Sequence, residues 1–407
     1  MKNKLFSIFK GDKWIWSCFL VLLGASLMFI HSTTGSLEYH RHNTPVHYLI
    51  SQSVFIIGAI LVALVMSNIS YKRLFNLANF LLGASVLLLL ITLIFGDATN
   101  DAKRWLHIPI IDQTIQTSDL AKICLTIFVA KTMATHQRDD EDIKKGAIIS
   151  AVATAVVCVL ILPANLSTAL LIGITTVVLL VITRVKIKHI LIVGTVAALV
   201  GLLGVMALGK TGTLKRAETW VNRIEAFVQN DETKTKKDNF QAEQAKIAIS
   251  RGGLIGQGSS ASMQKNVLPH PYSDFIFASI IEERGLIAGL FIIALYIVLM
   301  HRSVIAAKYQ SSSFPAFLCI GLALNIVLQA ISNMIVAVNL VPVTGQPLPM
   351  ISMGGTALII SSVSVGIILN ISRYSEQEGK EKEKQEVEEN DREQNIEDIT
   401  DYPFIIG

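Results

Sequence analysis

Asp274 stands where a long polar stretch, about Gly209 to Ser273, gives way to an apolar run, Phe275 to Met300. A carboxylate at the mouth of a membrane helix is costly unless it is paired, solvated or used, which makes the position a candidate site. Its chemistry would be general-base catalysis, taking the proton from an attacking hydroxyl, an assistance worth ~10²–10⁴-fold in rate. Helix capping by Ser273 or Asp274 is the plain structural alternative, and capping is compatible with chemistry. Glu282 and Glu283 follow two turns deeper, where ionised carboxylates are expensive. Arg284 is their nearest candidate partner in sequence.

Three further stretches carry groups of interest. The first runs from Asp101 to Lys122 and sets Lys103 and Arg104 beside Trp105, an interfacial residue. Asp119 and Lys122 fall one helical turn apart at the start of a span, a spacing that permits an ion pair. A cation just inside a span needs an anionic partner or ligand, so Lys122 points to Asp119 or to a lipid-linked phosphate. The second stretch, Arg223 to Gly258, ends in Gly252, Gly253, Gly256 and Gly258. Such glycines permit tight turns and close backbone approach to a ligand, or equally a structural re-entrant turn. Just before them, Phe240–Ser250 has the spacing of a surface helix. The third, Val341 to Ile359, places three prolines and three glycines between two long spans. Irregular backbone at membrane depth is tolerated only when buried or lining a cavity, so this segment is expected to wall one. Gln329 and Asn333, one turn apart on the preceding span, are read as hydrogen-bonding groups that bind helices together.

The elements that must position these residues are membrane helices. The chain has 407 residues, 52% of them hydrophobic and 16% charged, with a mean hydropathy of +0.53. That is too apolar for a soluble protein of this length, and the net charge of +4 does not argue for nucleic acid. Apolar runs long enough to cross ~30 Å of hydrocarbon recur along the chain. They are Trp14–Ile30, Leu49–Met66, Leu74–Phe95, Leu120–Ala134, Ala147–Leu162, Leu166–Ile182, Ile190–Leu208, Phe275–Met300, Phe314–Leu340 and Met353–Ile371. The expected class is therefore an all-α polytopic membrane protein with about ten transmembrane helices. Residues 1–374 form the membrane domain, with a large loop at 209–273, and residues 375–407 form a charged, disordered tail. Basic residues concentrate in alternate short loops, such as Lys72–Arg73, Lys144–Lys145 and Arg184–Lys188. That bias puts both termini in the cytoplasm and the large loop outside. Cys18, Cys124, Cys158 and Cys319 sit inside apolar runs without metal or disulfide spacing and are read as buried hydrophobes.

Several segments together resemble the SEDS family of shape, elongation, division and sporulation proteins, the polytopic peptidoglycan glycosyltransferases RodA, FtsW and SpoVE. They are KRWLHI, SDLAK, NLSTALL, QAKIAISRGGLIGQG, LPHPYSDFIFASIIEERGLIAG and PVTGQPLPMISMGGTALI, spread from Arg104 to Ile359 in the family's order. GDKWIW and HSTTG near the N-terminus look more like the division branch, FtsW. The resemblance implies polymerisation of lipid II, the undecaprenyl-diphosphate-linked disaccharide-pentapeptide, with inversion at the anomeric carbon. Asp274 would be the base. Arg104, Lys122, Arg223 and Lys265 would hold the leaving diphosphate, and Gln346 and Ser352 would bind substrate. Asp119, Gly252, Gly253, Pro269, Glu283, Pro349, Gly354 and Gly355 would shape the cavity. No cofactor is certain; a divalent cation, Mg2+ or Mn2+, could share the work of the basic residues, although the sequence shows no dedicated metal cage. The implied partners are lipid II, undecaprenyl diphosphate, a single-span class B penicillin-binding protein and further divisome proteins, in the bacterial cytoplasmic membrane. The chain departs from the family's pattern at Asp119 (usually Glu), Asn165 (usually Asp), Tyr272–Ser273 (usually His–Thr) and Arg284 (commonly apolar). A lipid-precursor flippase is the rival reading, since intramembrane charges and a Pro/Gly-broken segment also suit alternating access.

Overall fold

The computed structural model describes residues 10–33, 45–99, 102–108, 113–190, 194–195, 236–258, 262 and 272–375. Its helices are α1 (Lys13–Thr33), α2 (Pro45–Asn68), α3 (Tyr71–Phe95), α4 (Thr117–Thr135), α5 (Asp140–Ile161), α6 (Leu166–Ile182), α7 (Lys236–Gly252), α8 (Ile276–Lys308), α9 (Ser313–Ala337) and α10 (Gly355–Ser375). Among the described residues, seven helices are long and apolar enough to cross a membrane, and α6 is a shorter apolar one. The all-α polytopic class is as expected. Most of the seventh expected span, most of the 209–273 loop and the tail beyond residue 375 lie outside the described residues.

Burial sorts the helices into a centre and a rim. On α2, Val46, Ile50, Val54, Ile57, Leu61 and Val65 are exposed at three- and four-residue spacing, a stripe that suits hydrocarbon contact. In α9 and α10, by contrast, 61% of the span is buried, and both contribute to the larger core with α1 and α8. A second apolar cluster joins α4, α5 and α6. Local caps fix several starts: Asp139 Oδ1 accepts from Asp142 N (2.7 Å) ahead of α5, and Asn165 Oδ1 accepts from Thr168 N (3.2 Å) ahead of α6.

Two features depart from the sequence expectation. Between α3 and α4 the chain forms an antiparallel sheet, β1 (Asp97–Thr99), β2 (Ala102–Ile108) and β3 (Gln113–Gln116), in that order. Trp105 pairs with Gln116 and Ile108 with Gln113, so the strands deliver the chain directly into α4. The other is a break in α8 at Gly285, whose φ of 79° and ψ of 176° are not helical. A Cβ at Gly289 would lie 2.9 Å from Ile281 Cγ1 and 3.5 Å from Phe277 Cζ. In a straight helix, residues twelve apart are separated by ~18 Å along the axis. The stretch Ile276–Arg284 therefore folds back against Leu286–Lys308, and the expected single span is a helical hairpin.

Candidate functional site

Asp274 precedes α8 and is half-buried. The helix's N-cap is Phe275, so Asp274 stands one residue ahead of the cap position. Ser273 Oγ donates to Asp274 Oδ1 at 2.9 Å. The segment 272–274 is stitched to the Pro/Gly-rich segment between α9 and α10. Ser352 Oγ donates to Ser273 O (2.7 Å) and accepts from Leu348 N (2.7 Å), while Met353 N donates to Tyr272 O (2.9 Å). Gly345 adopts a φ of +65°, and a Cβ there would come within 3.6 Å of Asp274 Oδ2. The carboxylate thus faces a stretch of backbone kept bare by glycine. Tyr296 Oη donates to Pro349 O and pins the same segment from α8.

The cation expected inside a span is also placed. Lys122 Nζ lies 2.9 Å from Asp119 Oδ1 and donates to Gln329 Oε1 at 2.6 Å. Gln329 Nε2 in turn donates to Pro347 O at 3.0 Å. One turn along α9, Asn333 Nδ2 donates to both Asp274 O and Gln346 O, each at 2.8 Å. One face of α9 therefore holds the buried ion pair and the Asp274 segment together. Asp119, Lys122, Asn325, Gln329, Pro349 and Ser361 line a half-open pocket there. A second pocket includes Arg104, Thr117, Ser118, Ala164 and Asn165; Arg104 Nε donates to Ala164 O at 2.6 Å.

Over residues 12–377 the sequence matches the FtsW/RodA/SpoVE family, described as "Cell cycle protein". This chain belongs to the FtsW/RodA/SpoVE family. A "Probable peptidoglycan glycosyltransferase FtsW" of Coxiella burnetii is 27% identical over 92% of this chain and 100% of its own length. "Stage V sporulation protein E" of Bacillus subtilis is 29% identical over 88% of this chain and 95% of that protein. A solved chain from "a peptidoglycan synthase complex", described as coordinating polymerization and crosslinking, superposes with a TM-score of 0.67 at 25% identity, covering 90% of this chain and 98% of that one. The rod shape determining protein RodA of Thermus thermophilus shares the fold, with a TM-score of 0.63 at 22% identity over 89% of this chain and 97% of that one.

The remaining candidates of this family member divide by position. Gln346 and Ser352, expected to touch substrate, are buried and bonded to protein. Gln346 Nε2 donates to Thr168 Oγ1 at 2.7 Å, and Ser352 bridges Leu348 and Ser273. They hold the Asp274 segment in place. Gly252 ends α7 and Gly253 opens the turn after it, beside the Gly285 break; a Cβ at Gly252 would sit 2.0 Å from Ile281 O. Glu283 and Glu282 accept hydrogen bonds from Ser32 Oγ and Ser262 Oγ respectively. Arg284, the expected partner, is instead exposed and forms no ion pair among the described residues; the hairpin turns its side chain outward while both carboxylates face in. At α10, Gly355 allows close approach to α2, since a Cβ there would meet the Phe55 ring at 2.4 Å, whereas Gly354 is uncrowded. Arg223, Lys265 and Pro269 lie outside the described residues. Among those described, no group of three or more His, Cys, Asp or Glu is placed to hold a metal ion. Asn325, Thr168 and Tyr296 were not singled out from the sequence; polar groups on apolar helices were the only signal available.

Proposed function

We propose that this chain polymerises lipid II into glycan strands and releases undecaprenyl diphosphate, with Asp274 as general base. The observation that carries the reading is the pair of amides on α9. Gln329 engages Lys122, and Asn333, one turn on, engages the backbone of Asp274. A cation suited to a departing diphosphate and a carboxylate suited to a hydroxyl proton are thereby held on one frame. In the reaction, the acceptor sugar's hydroxyl oxygen bonds to the anomeric carbon of the donor as the bond to the diphosphate oxygen breaks. The hydroxyl proton passes to the Asp274 carboxylate. Attack opposite the leaving group inverts the centre. The Lys122 ammonium acts as a point charge on the leaving group, and Arg104 offers guanidinium hydrogen bonds.

A Mg2+ or Mn2+ here would be held mainly by diphosphate oxygens and water with one carboxylate, the usual manner of Mg2+ at phosphate sites. Asp274 or Asp119 would be that carboxylate, and the ion would neutralise charge on the leaving group. The polymerisation-and-crosslinking complex named above supports a crosslinking partner, read here as a class B penicillin-binding protein. The loop charges support a cytoplasmic location for both termini, with Asp274 opening to the other side.

Asp274→Asn tests the base. The purified variant should melt with the wild type and lose polymer formation from lipid II by ~10² or more. Polymer at the wild-type rate would overturn the assignment. In vesicles, movement of labelled lipid II without any polymer from the wild type would instead favour the flippase.

A further inference from the structure

The apex of the α8 hairpin has a surface that the glycosyl-transfer reading does not use. The turn after α7 is sewn into the Gly285 break by four backbone bonds. Gln257 N donates to Glu282 O (3.0 Å), Gly258 N to Glu283 O (2.9 Å), Leu286 N to Gly253 O (2.9 Å) and Ile287 N to Leu254 O (3.3 Å). A Cβ on Gly256 would lie only 2.5 Å from Arg284 N. This joint brings Arg251, at the end of α7, to the same apex as Arg284. Both arginines are exposed. Between them, Leu254 and Ile255 are 67% and 81% exposed, which is unusual for two consecutive large apolar residues in a turn.

Depth explains the combination. Leu286 to Arg302 is sixteen helical steps, ~24 Å at 1.5 Å per residue, against ~30 Å of hydrocarbon. With Arg302 at one membrane boundary, the apex sits near the headgroups of the opposite leaflet. Below it, Ile287, Leu290 and Phe291 are exposed on consecutive turns of α8. They continue the apolar surface of Leu254 and Ile255 down the helix. Arginine at that depth is stabilised by anionic oxygen, which its planar fork meets with two parallel hydrogen bonds.

We infer that Arg251 and Arg284 form a binding site for the anionic phosphate of a membrane phospholipid, whose acyl chain lies along Ile287, Leu290 and Phe291. The test uses the full-length protein in detergent, offered phosphatidylglycerol or phosphatidylcholine, with retained lipid counted by native mass spectrometry. The wild type should retain phosphatidylglycerol in preference. Arg251→Gln/Arg284→Gln should reduce that retention by about tenfold or more, the scale of lost charge-assisted hydrogen bonds. Each single variant should fall between. Lys308→Gln, which removes an exposed cation at the far end of α8, should leave it unchanged. Equal retention by wild type and double variant would overturn the proposal, as would an equal loss with Lys308→Gln. Retention of a polyprenyl diphosphate but not of phosphatidylglycerol would overturn the phospholipid assignment. Loss of a co-purifying membrane protein with lipid retention intact would mark the apex as a protein contact instead. All four variants are checked for an unchanged melting temperature, so that misfolding is not read as lost binding.

Discussion

Lys122 and Asp119 have side chains only 9% and 7% exposed, so neither charge can be removed alone at low cost. Breaking a buried pair by deleting one partner costs about 3–5 kcal/mol, whereas replacing both groups by neutral ones is much milder. Lys122→Met should therefore lower both thermal stability and polymerisation. Asp119→Asn/Lys122→Met should recover most of the stability. If Lys122 binds the diphosphate, polymerisation stays lost in the double variant; recovery of both properties would make the pair purely structural. Melting and polymer formation, read on the same samples, separate the two roles. Asn165 illustrates the opposite case. Its Oδ1 caps α6 through Thr168 N, and an amide caps as well as a carboxylate does. The local fold around Thr168, and through it Gln346, is therefore kept without the family's usual acid.

The hairpin in α8 is the element that decides where Asp274 lies. It depends on Gly285, whose φ is +79° and whose Cβ would come 2.2 Å from Leu254 O. Left-handed backbone in a residue with a side chain costs about 1–3 kcal/mol even without a clash. Gly285→Ala adds that clash and should both destabilise the protein and misplace the Asp274 segment. Gly253 supplies the control within the same joint. Its φ is +51°, but a Cβ there meets nothing within 4 Å. Gly253→Ala should cost only the conformational part, about 1–2 kcal/mol. Thermal unfolding of the two variants should rank them in that order, and polymer formation should suffer far more at Gly285.

Across the whole molecule, the end remote from the hairpin's apex is closed by a clasp. Arg302 Nε donates to Asp12 Oδ2 at 2.8 Å, and Asp12 N donates to Ser372 Oγ at 3.0 Å. The N-terminal segment, α8 and α10 meet at this one residue, whose carboxylate also accepts from Trp14 N at 2.8 Å. Asp12 is 5% exposed, so losing its guanidinium leaves a buried acceptor less well served. Arg302→Met should lower stability by about 1–3 kcal/mol. Polymerisation per folded molecule should be unchanged, because the clasp lies at the opposite end of Leu286–Lys308 from the turn that positions Asp274. A selective loss of activity at unchanged melting temperature would show instead that the two ends are coupled.

Hydropathy and short-range spacing are local properties of a chain, and what they govern was legible in the sequence. The helical membrane class, the one-turn Asp119–Lys122 pair and the irregular Pro/Gly segment beside a cavity all follow from residues close together. Asp274 could be proposed on the same basis, since an acid at the edge of an apolar run is visible without a fold. The tertiary structure alone decided which distant groups meet. Lys122 finds Gln329 across 207 positions, and Gln346 finds Thr168 across 178. Such hydrogen bonds leave no periodic trace, so the protein partners of Gln346 and Ser352 could not be read from the sequence. The Gly285 break was hidden for a related reason. An apolar run has the same hydropathy straight or folded back, and the groups that satisfy the broken backbone come from a separate turn, Gly253 to Gly258.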